Sequence, residues 1–513
     1  MSSCRSWNRA GWLNLPEREG HQAVSVTASA GSRRRALTES IFWPAIFLTI
    51  SAYGLVLLRG GYLHYEGQFF LSNYLDGRGF FEKVFSTHFN DWDCYQAREL
   101  GFVFGLLDAR AIVLASRFGA PFLYSLTSII AIFAAAVMLW RLIPRVAPRL
   151  SITDSGLIVS LMLATPPMAL SSYYYRPAKA LVAVFMMTVL WQAFRLTARA
   201  RQPSAVLDSA ALFVCATLMS WSDPQGLFLI LVLIVVLAVL TDIRTRSVRL
   251  AHLALLSALV ANTVWRFTIG PRLSLIADGF APSRAFERVA LRYTFGQLHH
   301  YTNALSLWLD DFGYFLGSSG AIGGAVCLIL IGVTYWLRPK KVVQPSLFQR
   351  RRAIVSLIVV SVMLLAFYTA MYAKLTSIVW PESRLIYYWI PGMIIIAIVV
   401  SGALDSTLAI SSRLRMPVLL VLGVMIGRNI VSLPSYSDVV RNGEQRIIIG
   451  ESGRVRDCMR SATTQIAGYR LTAEGAQACS SVRLAAFGSS GPTRAGRAAV
   501  PNPLLWCSRA GRR

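Results

Sequence analysis

Long apolar runs alternate with short polar breaks from residue 41 to residue 431, and this alternation is the strongest pattern in the chain. Each run comes close to the roughly 17 to 25 residues with which a helix crosses a hydrocarbon core, several being somewhat shorter. The pattern predicts about eleven spans, at 41–58, 121–140, 155–170, 180–194, 209–221, 227–240, 251–265, 313–337, 353–372, 388–400 and 416–431. An all-α polytopic membrane protein is therefore expected. The run 41–58 lies too far into the chain for a cleaved leader and has no small-residue cleavage site behind it, so it reads as a signal anchor.

Composition agrees with that class. Of the 513 residues 55% are hydrophobic and only 15% charged, against about 25% charged in soluble domains, and the mean hydropathy is +0.51. The formal net charge of +26 is not spread evenly. Basic residues concentrate in "SRRR" ahead of the first run, "RLIPRVAPR" after the second, "RLTARAR" after the fourth, "DIRTRSVR" after the sixth and "RPKKVVQPSLFQRRR" after the eighth. Those are alternate loops, and Lys and Arg in short loops stay cytoplasmic. Segment 1–40 and these loops are thus expected inside, and much of the positive charge is a topology signal and not a nucleic-acid footprint. Loop 59–120, "SSYYYRPAK", "SDPQG", 266–312 and "KLTSIVWPESRLIYY" are expected outside, with the tail from 432 if the span count is odd.

The first exterior loop changes the picture further, because it carries Glu66, Asp76, Glu82, Asp91, Asp93, Glu99 and Asp108, seven of the chain's 25 acids. From Tyr95 to Leu114 the residues Leu100, Val103, Leu107, Ala111 and Leu114 recur at spacings of three and four, which predicts an amphipathic helix able to lie in the membrane interface. "DCYQ" has the form of a capping box, with Asp93 as N-cap and Gln96 at the third helical position. Asp91 precedes that cap and has no such structural duty.

One span with its N-terminus inside, a long exterior loop with paired acids ahead of an amphipathic helix, and many spans joined by short loops together resemble the GT-C superfamily of integral-membrane glycosyltransferases. Protein O-mannosyltransferases and lipid A aminoarabinose transferases belong to it. In them an Asp of the first exterior loop is the catalytic base, followed by a second acid and, four residues on, an aromatic. Asp91 with Tyr95 matches that spacing, while the second acid, Asp93, follows after Trp92 and not directly, the departure of a divergent branch. The resemblance implies a GT-C-like catalytic domain over 41–431, and the composition of the C-terminal tail, 432–513, reads as poorly ordered. The resemblance further implies an inverting transfer of a sugar from a polyprenyl-phosphate donor to a glycan, lipid or protein acceptor, on the periplasmic face of a bacterial inner membrane.

Such a reaction needs a carboxylate to take the acceptor proton and positive groups to hold the leaving phosphate. Asp91 and Asp93 are the candidate catalytic pair. Should a divalent cation be used, two carboxylates without His or Cys favour Mg or Mn over zinc. Arg176 and Lys179 in "YYYRPAK" and Arg384 in "WPESRLIYYW" are candidate phosphate ligands, although tyrosine belts with snorkelling cations are also ordinary interface anchors. Tyr95, Glu99, Trp221, Asp223, Gln225, Glu382 and Tyr387 are candidate substrate contacts. Asp223 before Pro224 is equally a helix N-cap. His299 and His300 could form a metal site, but adjacent histidines point apart on a helix, and Asp310 and Asp311 are equally consistent with a cap for the eighth span.

The seven cysteines show no zinc spacing. Cys215 and Cys327 fall within spans, while Cys458 and Cys479 could pair on an oxidising side. From about Gly450 the tail has little periodicity. A transporter or lipid flippase would instead set ionisable groups at the bilayer midplane. An O-antigen polymerase or ligase would carry its large exterior loop late in the chain, and a non-catalytic membrane scaffold is the fourth alternative.

Overall fold

A computed structural model describes positions within 43–51, Tyr74, 79–86, 95, 97–118, 126–171, 177–198, 205–240, 245–277, Gly279, 298–316, 321–337, Met363 and 390–450. Among these residues the protein is helical, with no strand. The helices are α1 (Phe80–Phe85), α2 (Glu99–Phe118), α3 (Leu126–Val146), α4 (Ile152–Ala164), α5 (Pro166–Ser171), α6 (Pro177–Ala198), α7 (Ala205–Ser222) and α8 (Gln225–Leu240). They continue with α9 (Arg246–Val264), a π-helical turn (Trp265–Ile269), α10 (Gly270–Ala277), α11 (Leu298–Tyr314), α12 (Ala321–Leu337), α13 (Ile390–Ile410) and α14 (Arg415–Gly450).

Six described helical stretches are long and apolar enough to cross a membrane: Leu126–Val146, Ala180–Thr197, Ala205–Ser222, Arg246–Ala277, Ile390–Ile410 and Ser412–Ser435. The apolar helices at Ile152–Ala164, Gln225–Ala238 and Ala321–Thr334 are shorter. Of the remaining expected spans, 353–372 lies outside the described residues apart from Met363, and 41–58 is seen as helical positions that include Trp43 and Phe47.

The interior is built from small residues that let helices approach closely, as expected where lipid tails supply no hydrophobic drive. Ala135 and Ala136 of α3, Ala180 and Ala183 of α6, Ala216 of α7 and Ala251 and Ala258 of α9 are all buried. Trp140 is buried: its indole N–H donates to the carbonyl of Ile152 at 2.9 Å and Phe47 meets its ring edge-on, centroids 6.1 Å apart. Trp43 lies against Gly156, where any Cβ would strike its ring.

Contacts between helix ends fall into two groups. In one, Arg149 pairs with Asp405 at 3.1 Å, Arg415 with Asp154 at 3.1 Å and Arg195 with Asp208 at 3.3 Å. Ser151 and Asp154 close a capping box on α4, which Arg415 also reaches through the Ser151 hydroxyl. All of these residues lie in loops, or at helix ends beside loops, that the basic-residue pattern assigns to one side. The other group joins loops assigned to the opposite side: Asp108 of α2 caps α3 by accepting from the Thr127 N–H at 2.9 Å, and Asn429 donates to the Tyr314 carbonyl at 3.0 Å.

Several boundaries differ from expectation. The span expected to end at Trp265 runs on through the π turn to Ala277, so the start of the expected loop 266–312 is helical. Pro271 explains the π turn: lacking an N–H, it cannot donate to the Phe267 carbonyl four residues back, and the preceding turn widens, with the Gly270 N–H bonding the Trp265 carbonyl. In the same loop, 281–297 lies outside the described residues, and 298–314 forms α11. Residues 313–316 close α11, so the eighth span begins at Ala321 and not at 313. Asp310 and Asp311 sit inside α11 and do not cap that span; Asp311 is fully buried. The last helix passes Val431 and Pro434 to reach Gly450, so the tail boundary expected at 432 falls within a helix.

Candidate functional site

The helix expected from Tyr95 begins four residues later, at Glu99. Tyr95 is non-helical and Ala97 adopts a left-handed backbone, φ 55°, a conformation that costs a non-glycine residue about 1–2 kcal/mol. With Tyr95 outside the helix, Asp93 is not the N-cap of α2; the first helical hydrogen bond runs from the Phe102 N–H to the Arg98 carbonyl at 3.0 Å. The apolar stripe used to predict this helix faces away from the protein, with Leu107 57% and Leu114 48% exposed. Phe102, Asp108 and Ala109 form the buried face instead. An unpaired apolar stripe on the outer face is what a helix lying at a membrane interface presents to lipid.

This kinked entry into α2 delivers three buried side chains to one place. Tyr95 donates its phenol hydrogen to Glu99 Oε1, and Trp265 of the π turn donates its indole N–H to the same oxygen at 3.1 Å. The Tyr95 ring lies against Gly270, where a Cβ would overlap the phenol oxygen, so glycine permits the approach. Arg98 reaches across to Asp223 at 3.1 Å, both side chains buried. Asp223 has a second task, since its Oδ1 accepts from the Gln225 N–H at 3.1 Å and caps α8, as the Asp-Pro sequence predicts. Gly226 makes that turn tight: a Cβ there would collide with the Met219 carbonyl. The ring of Trp221, in the last turn of α7, stacks on Trp265 at 4.7 Å between centroids with a tilt of 35°.

Five of the expected substrate contacts, Tyr95, Glu99, Trp221, Asp223 and Gln225, therefore converge, although they come from two separate loops. Three further members were not foreseen: Arg98, Trp265 and Gly270. Arg98 had a visible signal, a cation directly ahead of an acid in the acid-rich loop. Trp265 and Gly270 were hidden by placing the end of a span at Trp265.

Burial removes Glu99 from water and raises its carboxyl above the ordinary value of 4.5; the hydrogen bonds from Tyr95 and Trp265 and the charge of Arg266 act the other way. Glu99 Oε2 and Trp221 Nε1 have no hydrogen-bond partner among the described residues. The cluster thus holds a buried carboxyl with one unpaired oxygen, an unsatisfied indole donor and an aromatic stack.

Asp91 and Asp93 lie outside the described residues, as do Arg176, Arg384, Glu382 and Tyr387; Lys179 belongs to the first turn of α6, its side chain outside the description. No group of three or more His, Cys, Asp or Glu side chains able to hold a metal occurs among the described residues. Cys215 and Cys327 are free thiols in α7 and α12; Cys458 and Cys479 lie outside the description, and so do the side chains of His299 and His300. No protein-family model matches the chain, and no curated protein matches it.

Proposed function

We propose that the protein is a membrane glycosyltransferase of GT-C type that moves a sugar from a polyprenyl-phosphate carrier to an acceptor hydroxyl. The observation that carries this is the joining of Tyr95 and Glu99, just downstream of Asp91 and Asp93, to Trp221 and Trp265 at one end of the helix bundle. Asp91 takes the acceptor proton as the hydroxyl oxygen attacks the anomeric carbon; the bond from that carbon to the phosphate oxygen breaks and the phosphate leaves with the electron pair. A single displacement inverts the anomeric centre. Asp93 orients the acceptor or, with Asp91, holds a divalent cation, and Arg384, Arg176 and Lys179 are candidates to balance the phosphate charge. The transporter alternative is less well supported, since the charged residues of the described spans other than Arg266 lie within about two turns of a helix end. Purified protein in proteoliposomes, supplied with polyprenyl-phosphate sugars and a mixed acceptor fraction, should transfer label with inverted configuration. Absence of transfer from every lipid-phosphate donor, with transfer from nucleotide sugars instead, would refute the donor class.

A further inference from the structure

Two arginines of α3, at the end that the basic loops assign to the cytoplasm, are held by rings and not by acids. The Arg141 guanidinium lies over the Trp140 ring, 4.6 Å from its centroid, and that of Arg145 lies over the Trp191 ring of α6 at 4.0 Å. Both arginines are exposed, and neither makes an ion pair among the described residues. The described acids of this end, Asp154, Asp208 and Asp405, are already taken by Arg415, Arg195 and Arg149. The rings beneath the two guanidinium groups are themselves fixed. Trp140 is tied to the Ile152 carbonyl, and Trp191 follows by one turn the point where the Thr188 hydroxyl of α6 meets the Met138 sulfur of α3 at 3.9 Å. A guanidinium stacked on an aromatic ring gives one face to it and keeps its planar fork of N–H groups for an anion. Four residues apart, Arg141 and Arg145 present two such forks on one face of α3, with their Cβ atoms about 5–6 Å apart.

Depth decides what the forks meet. Helix α3 starts at Leu126, at the opposite end of the bundle, and Arg145 follows nineteen residues later. At 1.5 Å per residue that is about 28 Å, close to the thickness of a hydrocarbon core. Arg145 therefore stands at the level of the headgroup phosphates, and Arg141 about 6 Å nearer the core. Towards the core the same face of the helix is apolar: Ile130 is 57% exposed, and Ala134, Val137 and Met138 are half-buried. The face is thus hydrocarbon where acyl chains lie and doubly cationic where phosphates lie, which complements a lipid with an anionic headgroup.

We propose that Arg141 and Arg145, set by the rings of Trp140 and Trp191, bind an anionic phospholipid of the cytoplasmic leaflet, its phosphodiester between the two guanidinium groups and its acyl chains along α3 towards Ile130. The full chain, purified in neutral detergent, is titrated with phosphatidylglycerol and with phosphatidylcholine, and retained lipid is counted by native mass spectrometry. The unaltered chain should hold phosphatidylglycerol about tenfold or more tightly than phosphatidylcholine, because both forks act on one net negative headgroup. Equal retention of the two lipids overturns the site, and that arm requires no variant to fold. Arg141→Gln combined with Arg145→Gln should abolish the preference. Arg246→Gln combined with Arg249→Gln takes the same charge from the same end, at exposed positions of α9 that lie over no ring among the described residues, and should keep it. An equal loss in the two double variants would reduce the effect to a diffuse attraction and overturn the site. Trp191→Leu leaves every charge in place yet removes the ring under Arg145, so retention of phosphatidylglycerol should fall several-fold; unchanged retention overturns the part given to the ring.

Discussion

The Arg98–Asp223 pair fastens the kinked start of α2 to the α7–α8 turn, and its removal has a calculable consequence. Arg98 is 5% and Asp223 1% exposed, with 3.1 Å between Nε and Oδ2. Solvent therefore screens the pair little, and truncating one member of a buried pair typically costs about 3–5 kcal/mol, because the other charge stays buried without it. Arg98→Met leaves the Asp223 carboxylate in that position. Asp223→Asn in the same chain removes the remaining charge yet keeps an oxygen to accept from the Gln225 N–H, so the α8 cap, worth about 1 kcal/mol, survives. The double variant should then lose less than the sum of the two single variants, with a coupling energy of about 2 kcal/mol or more. Reversible unfolding in mixed micelles, followed by far-ultraviolet circular dichroism as the denaturing detergent fraction rises, reads all four corners of the cycle. A loss below about 0.5 kcal/mol in Arg98→Met, or strict additivity in the double variant, would show that the pair does not hold the two segments together.

Glu99 makes stability pH-dependent with a definite sign. Its folded carboxyl titrates above the 4.5 of an unburied glutamate. The stabilisation is complete below that unfolded value and is lost as pH rises through the folded one, so unfolding scans across this range should show a fall that Glu99→Gln flattens; equal pH profiles would contradict the burial argument. Gly270→Ala should push the Tyr95 ring away and break its hydrogen bond to Glu99, seen as increased Tyr95 exposure to chemical modification, whereas unchanged protection would mean the ring is not held there. Ala97→Gly relieves a left-handed backbone and should raise stability by up to about 1 kcal/mol; a loss would place the strain elsewhere.

The repeated apolar runs made the helical membrane architecture legible, and helix ends beside the basic loops are joined by the Arg149–Asp405 and Arg415–Asp154 pairs. What hydropathy could not show was where a helix continues after its apolar run ends. Arg266 and Arg272 lower the hydropathy after Trp265, yet backbone hydrogen bonds carry the helix through a π turn to Ala277. The same blindness moved the end of the last helix from Val431 to Gly450. At the site, residue type alone pointed to Tyr95, Glu99, Trp221 and Asp223. Their convergence depends on long-range packing, above all on Gly270 and the indole of Trp265, which no local spacing encodes.

The central claim is that the acid-rich segment ahead of Tyr95 performs sugar transfer from a lipid phosphate. Its most direct test compares the unaltered chain with Asp91→Asn in reconstituted membranes, measuring transfer of a labelled sugar from polyprenyl phosphate under single-turnover conditions. The account predicts transfer by the former and its abolition in Asp91→Asn, with folding and polyprenyl-phosphate binding intact. Full transfer by Asp91→Asn would contradict it.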